Sequence, residues 1–113
     1  MITLYGISNC DTIKKSRAWL QANGLDYVFH DYKKAGIDHD SLMQWCRKVG
    51  YEKLLNTRGT TWRTLDEKAR ANMDETKAIT LMQEHTSLIK RPVLVSDTSM
   101  LVGFDEDSWK SLL

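Results

Sequence analysis

Residues 2–32 read ITLYGISNCDTIKKSRAWLQANGLDYVFHDY, and this stretch decides the fold. Its first five residues are β-prone and end at a glycine, and a short loop then leads into a charged, helix-favouring segment that begins near Cys10. Gly24 is placed to end that helix as a C-terminal cap. The pattern therefore predicts a strand over residues 2–6 and a helix over about 11–22.

The residues that follow complete a first structural unit. Leu25 is placed to contact Leu20, as in a Schellman cap. Aromatic, branched and polar side chains alternate over residues 27–32, which predicts a second strand. Strand, helix and strand in this order form a βαβ unit, and a crossover helix implies that the two strands are parallel.

The middle of the chain is predicted to be helical. Asp38 or Asp40 can cap a helix that runs to about Lys48. Four residues follow the i, i+3, i+4, i+7 spacing of one apolar face and should pack inward: Leu42, Trp45, Cys46 and Val49.

Further helices are expected beyond a polar loop at residues 56–61. Residues 62–71 are predicted to form short helical pieces with uncertain ends. Asp74 can cap another helix, and this helix should stop before Pro92 because a residue that precedes proline avoids the helical region.

The last part of the chain predicts a hairpin and a helix. Pro92 opens the apolar run 93–95, a polar turn follows at 96–99, and residues 100–103 form the partner strand. Asp105 then begins a short helix. The predicted order is β, α, β, a helical insert, β, β, α.

Composition limits the class of protein. A chain of 113 residues fits one domain, and its 42% hydrophobic residues are enough for a core. A net charge of +1 argues against nucleic acid as a partner. No segment approaches the roughly 20 apolar residues of a membrane span, so we expect a cytoplasmic protein without a membrane partner.

Metal and nucleotide sites have no support in the sequence. The three histidines fall on separate predicted elements without metal-ligand spacing, and the two cysteines form no C-x-x-C pair. Phosphate-binding glycine motifs are also absent. We therefore expect no metal site and no tightly bound cofactor.

Cys10 is predicted to be a reactive thiol. At a helix N-terminus the macrodipole and unpaired N–H groups favour the thiolate, and Lys14 can add positive charge one turn further on. Asp11 opposes this effect if its carboxylate points toward the sulfur, and the sequence leaves that direction open. The alternative is a small hydrophobic residue packed in a turn.

Cys46 is predicted to be a buried, inert thiol because it lies on the apolar face of its helix. Ile13 occupies the position where a C-x-x-C pair would place its second sulfur. A resolving thiol must then come from outside the site, and glutathione is the abundant cytosolic candidate.

Three motifs together resemble the arsenate reductase (ArsC), Spx and YffB family: YGISNCDTIKK at residues 5–15, IKRPVL at 89–94 and LVGF at 101–104. The match runs nearly end to end and is most similar to the YffB branch, regarded as glutathione-dependent thiol reductases. It implies a thioredoxin-like α/β fold with a mixed four-stranded sheet and a helical insert between the second and third strands.

The resemblance also implies a domain organisation. The whole of 1–113 would be one ArsC-like domain, with a thioredoxin-like core at about 1–34 and 88–113 and the insert at about 35–87. The expected state is a monomer.

Site residues follow from the same resemblance. Pro92 would be cis and would face Cys10. Lys14 and Arg91 match anion-binding positions, and Arg58 and Arg63 lie in a loop that should border the site. These cations could bind glutathione, as co-substrate, or an oxyanion; the alternative for each is a solvated surface charge.

Two departures separate this chain from the arsenate reductases, which carry a histidine where Gly6 stands and an arginine in the hairpin after the proline. Both argue against arsenate reduction. Spx regulators, which bind RNA polymerase, typically carry the C-x-x-C switch that Ile13 excludes. The expected function is glutathione-dependent thiol–disulfide reduction by a single cysteine, acting on an oxidised thiol and able to involve glutaredoxin; arsenate reductase and a non-catalytic Spx-type regulator are the alternatives.

Overall fold

The computed structural model describes residues 1–113, and four strands form one sheet in the order β2-β1-β3-β4. β1 pairs in parallel with β2 and antiparallel with β3, and β3 pairs antiparallel with β4. The predicted mixed four-stranded α/β sheet is confirmed. The strands span Ile2–Gly6, Tyr27–Asp31, Val93–Val95 and Met100–Val102.

Helix α1 spans Asp11–Ala22, as the sequence predicts. Its C-terminus is a Schellman cap: the Leu25 amide donates to the Leu20 carbonyl at 3.0 Å, and the Gly24 amide donates to Gln21 at 3.1 Å. Gly24 has a φ of +69°, which is accessible to glycine without steric cost. This turn sends the chain directly into β2.

One face of the sheet carries the apolar core of the first unit. Leu4, Leu94 and Leu20 are fully buried together with Trp109. Trp109 ends helix α8, Glu106–Trp109, and its indole Nε1 donates to the Gly103 carbonyl at 3.1 Å. A 3₁₀ turn, Lys110–Leu112, follows.

Strand β2 is one residue shorter than the sequence predicts. The Asp31 carboxylate accepts a hydrogen bond from the Lys33 amide at 2.9 Å, which turns the backbone at the end of the strand. Tyr32 therefore begins a short helix α2, Tyr32–Ala35, and its side chain is buried.

Two compact units divide the chain, Met1–Ala35 with Arg91–Leu113 and Gly36–Lys90. The second unit is helical, as the insert was predicted to be. Its helices are α3 to α7, at His39–Val49, Tyr51–Leu54, Thr60–Thr64, Glu67–Arg70 and Glu75–Glu84, followed by a 3₁₀ turn at Thr86–Leu88.

Most of the insert's helix signals are confirmed. The Asp74 carboxylate caps α7 by accepting from the Lys77 amide at 2.8 Å, and the apolar face of α3 is buried at Leu42, Trp45 and Cys46. The sequence did not predict α4. Gly50, with a φ of +86°, ends α3, and the single turn that follows is too short to show a helical period.

Candidate active site

One end of the sheet brings three chain segments together. Gly6, the last residue of β1, pairs with Asp31. On the other side Tyr5 pairs with Val93, so Gly6 and Pro92 follow next in the same register. The loop that leaves β1 at this end leads directly to Cys10.

Cys10 is the N-cap residue of α1, with an extended backbone (φ −151°, ψ 126°). Its carbonyl accepts from the Lys14 amide at 3.0 Å, which is the first hydrogen bond of the helix. The thiol is free, partly exposed and makes no capping hydrogen bond. A helix N-terminus leaves its first amides without helical partners, and Cys10 directly precedes these N–H donors along the chain.

The second thiol differs from Cys10 in its burial. Cys46 is free but only 3% exposed, and it packs on the inner face of α3. Burial raises the pKa of the Cys46 thiol to about 11, and the carboxylates of Glu75 and Glu52 add to the rise. Cys46 is therefore a neutral thiol at physiological pH.

The Arg91–Pro92 peptide bond is cis, which confirms what the sequence resemblance implied. Pro92 is buried at the start of β3, and its carbonyl accepts from the Gly103 amide at 2.8 Å. Arg91 is half-buried. Its backbone lies beside Pro92, at the same end of the sheet as the cysteine loop.

Lys14 is exposed on the first turn of α1. The ion pairs of the molecule join the N-terminal amine to Asp97 and Lys110 to Asp107. Lys14 and Arg91 are therefore not neutralised by a carboxylate.

Arg58 and Arg63 belong to the other unit, the insert. Both side chains are exposed. The Arg58 amide donates to the Asn56 side chain at 3.1 Å, and Arg63 lies in α5. Their participation in the site remains a prediction, whereas Cys10, Lys14, Arg91 and Pro92 belong to one unit.

Gly6 and Ile13 are packed against each other. A Cβ atom on Gly6 would overlap Cδ1 of Ile13 and lie 2.9 Å from its Cγ1. Ile13 is fully buried, so its side chain has little room to move away. Gly6, where the arsenate reductases carry histidine, and Ile13, where Spx regulators carry the second cysteine, thus share one contact.

A cavity of about 360 Å³ lies beside the cysteine loop. Arg17 projects into it from α1, with its guanidinium carbon 4.6 Å from the centre of the Phe29 ring and its Nε donating to the Tyr27 hydroxyl at 2.9 Å. The lining residues are Ser8, Arg17, Phe29, His30, Asp31, Lys34 and Ala35. A larger cavity, about 470 Å³, lies toward the C-terminal end of α1.

Sequence reasoning missed both Arg17 and an aromatic cluster formed by Tyr5, His30 and Tyr32. The Tyr5 ring centre lies 4.9 Å from that of His30 and 6.2 Å from that of Tyr32. Alternation along the strands could have placed Tyr5 and His30 on one face, because they are paired in the parallel register. No group of three or more His, Cys, Asp or Glu side chains is arranged to hold a metal ion, and no helix has the length and apolar character needed to cross a membrane.

Comparison with known proteins gives a family match over nearly the whole chain. The model described as ArsC family matches residues 5–112. An uncharacterized protein of Haemophilus influenzae is 41% identical over 98% of this chain and 97% of its own length. The global transcriptional regulator Spx of Streptococcus pyogenes is 28% identical over 100% of this chain and 85% of its own length.

Solved structures agree with the family match. A protein named YffB has a TM-score of 0.96 at 49% identity, covering 98% of this chain and 97% of its own. An arsenate reductase (ArsC) related protein from Brucella melitensis has a TM-score of 0.78 at 47% identity, covering 97% of this chain and 92% of its own.

Proposed function

Because the chain belongs to the ArsC family, we propose that it is a thiol–disulfide oxidoreductase with Cys10 as its single nucleophile and glutathione as its co-substrate. Family membership and the similarity to an arsenate reductase related protein support thiol oxidoreductase chemistry in general. One observation carries the choice of residue. Cys10 presents a free, partly exposed thiol at the N-cap of α1, and that thiol makes no capping hydrogen bond.

The proposed reaction has two exchange steps. The Cys10 thiolate attacks the glutathione sulfur of a mixed disulfide, the S–S bond breaks, and the substrate leaves as a thiolate that takes up a proton. A second glutathione thiolate then attacks the Cys10–glutathione disulfide. Cys10 is regenerated as thiolate and oxidised glutathione leaves. In the net exchange, one mixed disulfide and one glutathione thiol give one substrate thiol and one oxidised glutathione.

Nearby groups support each step. The first-turn amides of α1 and the Lys14 ammonium stabilise the attacking thiolate and the same thiolate when it leaves. Arg91 binds a glutathione carboxylate through its planar guanidinium, with Pro92 holding it at the sheet end. Arg58 and Arg63 are proposed as further contacts from the insert.

The resolving thiol is proposed to be external. Ile13 leaves no sulfur one turn after Cys10, and Cys46 is buried and held neutral. Glutathione supplies this thiol directly, or glutaredoxin acts in its place. We propose that the protein works as a monomer in the cytoplasm, without a tightly bound cofactor.

Mass spectrometry of the intact protein after treatment with oxidised glutathione tests the proposal. We expect one glutathione adduct, mapped to Cys10 by peptide analysis, in the wild type and in Cys46→Ala. The Cys10→Ser variant should form no adduct. An adduct confined to Cys46, or equal labelling of both cysteines, would contradict the proposed nucleophile.

A steady-state assay tests the co-substrate. Reduction of a glutathione mixed disulfide should depend on glutathione concentration and be lost in Cys10→Ser. Arg91→Lys keeps the charge but cannot form the bidentate pair, so we expect KM for glutathione to rise about tenfold or more. An unchanged KM would remove Arg91 from the binding site.

A regulatory role is a second candidate, favoured by the similarity to Spx over the full length of this chain. Affinity purification with RNA polymerase as the probe separates the two functions. A stable polymerase complex that survives Cys10→Ser would favour the regulator. Cys10-dependent turnover of arsenate with glutathione and glutaredoxin would instead favour an arsenate reductase.

A further inference from the structure

Tyr32 presents a buried hydroxyl group without a hydrogen-bond partner. The residue is only 2% exposed, and its Oη is one of two buried side-chain polar atoms that remain unsatisfied in the structure. Such atoms are rare because a buried donor or acceptor that has lost water gains nothing in exchange. A hydrogen-bond acceptor on a ligand would satisfy this hydroxyl.

The groups around Tyr32 hold its ring in place. The Tyr5 ring is stacked at 6.2 Å with an interplanar angle of 25°, and the His30 ring lies edge-on at 5.9 Å. Tyr5 lies on β1 and His30 on β2, and the two are neighbours in the strand register. The aromatic cluster thus fixes the Tyr32 side chain on two sides.

The hydroxyl remains a donor at any physiological pH. Burial raises the pKa of Tyr32 far above that of an ordinary tyrosine, and Tyr5 adds to the rise. Arg91 opposes it, because its positive charge favours the tyrosinate. The positive charge of Arg91 therefore acts on the Tyr32 hydroxyl, which remains a neutral O–H donor.

The sheet places these two residues at the same end. Tyr32 directly follows Asp31, the partner of Gly6 on β2, and Arg91 directly precedes Pro92, which follows Gly6 in register on the other side. Both residues therefore leave the sheet at the same end, on either side of β1. The loop to Cys10 leaves β1 between them.

We propose that the Tyr32 hydroxyl and the Arg91 guanidinium together bind a carboxylate group of glutathione. The guanidinium supplies two parallel N–H donors and the tyrosine supplies a third donor, which suits the several lone pairs of a carboxylate. The proposal rests on the proposed function and adds a residue to the same site. Tyr32 is a ligand-binding residue in this role and takes no part in sulfur exchange.

The test uses S-methylglutathione, which keeps both carboxylates but cannot react with Cys10. Isothermal titration should show about tenfold weaker binding to Tyr32→Phe than to the wild type, the loss typical of one hydrogen bond to a charged group. Tyr27→Phe is the matched control, because its hydroxyl pairs with Arg17. It should bind like the wild type.

A second measurement distinguishes a ligand-binding hydroxyl from a structural one. Without ligand, Tyr32→Phe should be at least as stable to urea as the wild type, since it removes an unpaired buried group and keeps the ring. A loss of stability would show that the hydroxyl already bonds a structural water, and would overturn the proposal. The ethyl ester of the glycine carboxylate identifies which carboxylate is bound, because blocking that group should abolish the difference between the two proteins.

Failure of this proposal and failure of the proposed function give different results. Equal binding of S-methylglutathione to the wild type and Tyr32→Phe, with a glutathione adduct still forming on Cys10, overturns the role of Tyr32 alone. Absence of any Cys10 adduct in the wild type overturns the proposed function, and with it this inference.

Discussion

At the residue scale, Gly6 and Ile13 form a contact that couples the packing of two positions seven residues apart. A side chain at position 6 would need the space that the Ile13 side chain fills. Because both are buried, neither can change size independently. Glycine is required at position 6 because the Ile13 side chain leaves no room there for a Cβ atom.

Gly6→Ala should therefore destabilise the protein by about 1–3 kcal/mol, the usual range for overpacking a core. The same change made in an Ile13→Ala background should cost less, because the overlapping atoms are gone. Urea unfolding of the four proteins in a double-mutant cycle measures this coupling. Additive changes in the free energy of unfolding would show that the Ile13 contact does not restrict the size of the side chain at position 6.

A titration at Cys46 should make stability fall in alkaline solution. Its pKa is about 11 in the folded protein against 9.0 without the fold, so the unfolded chain loses this proton first as pH rises. The contribution of the neutral Cys46 thiol to the free energy of unfolding is fully present below pH 9. It is lost as the pH rises through 11, and this loss is roughly 2 kcal/mol.

Urea unfolding of the wild type and Cys46→Ala at pH 8 and pH 11 checks this expectation. The advantage of the wild type over the variant should shrink between the two pH values. A constant difference would show that Cys46 does not contribute to the pH dependence.

At the scale of elements, capping residues make the sharpest predictions. Asp74→Ala removes the hydrogen bond from the Lys77 amide at the start of α7 and should cost about 1 kcal/mol. Glu75→Ala removes a charge from the same helix turn without removing a cap, and it should lower the free energy of unfolding by only a few tenths of about 1 kcal/mol. Thermal or urea unfolding compares the two, and equal losses would mean that charge alone matters.

The elements also show where sequence patterns suffice. Helix α1 was predicted with correct ends because local residues mark both: Cys10 follows a loop, and Gly24 forms the cap. The boundary of β2 was wrong by one residue because the Asp31 side chain turns the chain, and alternation does not report that bond. The single turn α4 gave no periodic signal.

The sequence predicts the candidate site only at residues that belong to a motif. Cys10 and Pro92 stand in such motifs, and the structure places one at a helix start and the other after a cis bond. Tyr32 gave no signal, because the lack of a partner for its hydroxyl depends on every group packed around it. The sequence pattern of their own loop does not define the roles of Arg58 and Arg63.

For the molecule as a whole, the core of the first unit draws on both halves of the chain. Trp109 is fully buried with Leu4 and Leu20, and its ring makes edge contacts with Trp19 at 5.7 Å and Phe104 at 4.9 Å. The unit is therefore held together by residues that are distant in sequence.

Trp109→Ala should cost about 3–5 kcal/mol, a large part of the stability of a small protein. Trp109→Phe should lose less because an aromatic ring remains. The half-buried Trp62 offers a comparison, and its replacement by alanine should cost less than that of Trp109. Denaturation curves measure the stability of each variant. A different order of stability losses would contradict the central position of Trp109 in the core.

The central position of β1 in the sheet has a consequence during synthesis. Its first partner, β2, leaves the ribosome soon after it, but its second partner, β3, is separated from β2 by residues 32–92. At roughly 5–20 residues per second, translation of that stretch takes about 3–12 s. For this interval the edge of β1 that β3 will occupy is unpaired and open to pairing with another chain.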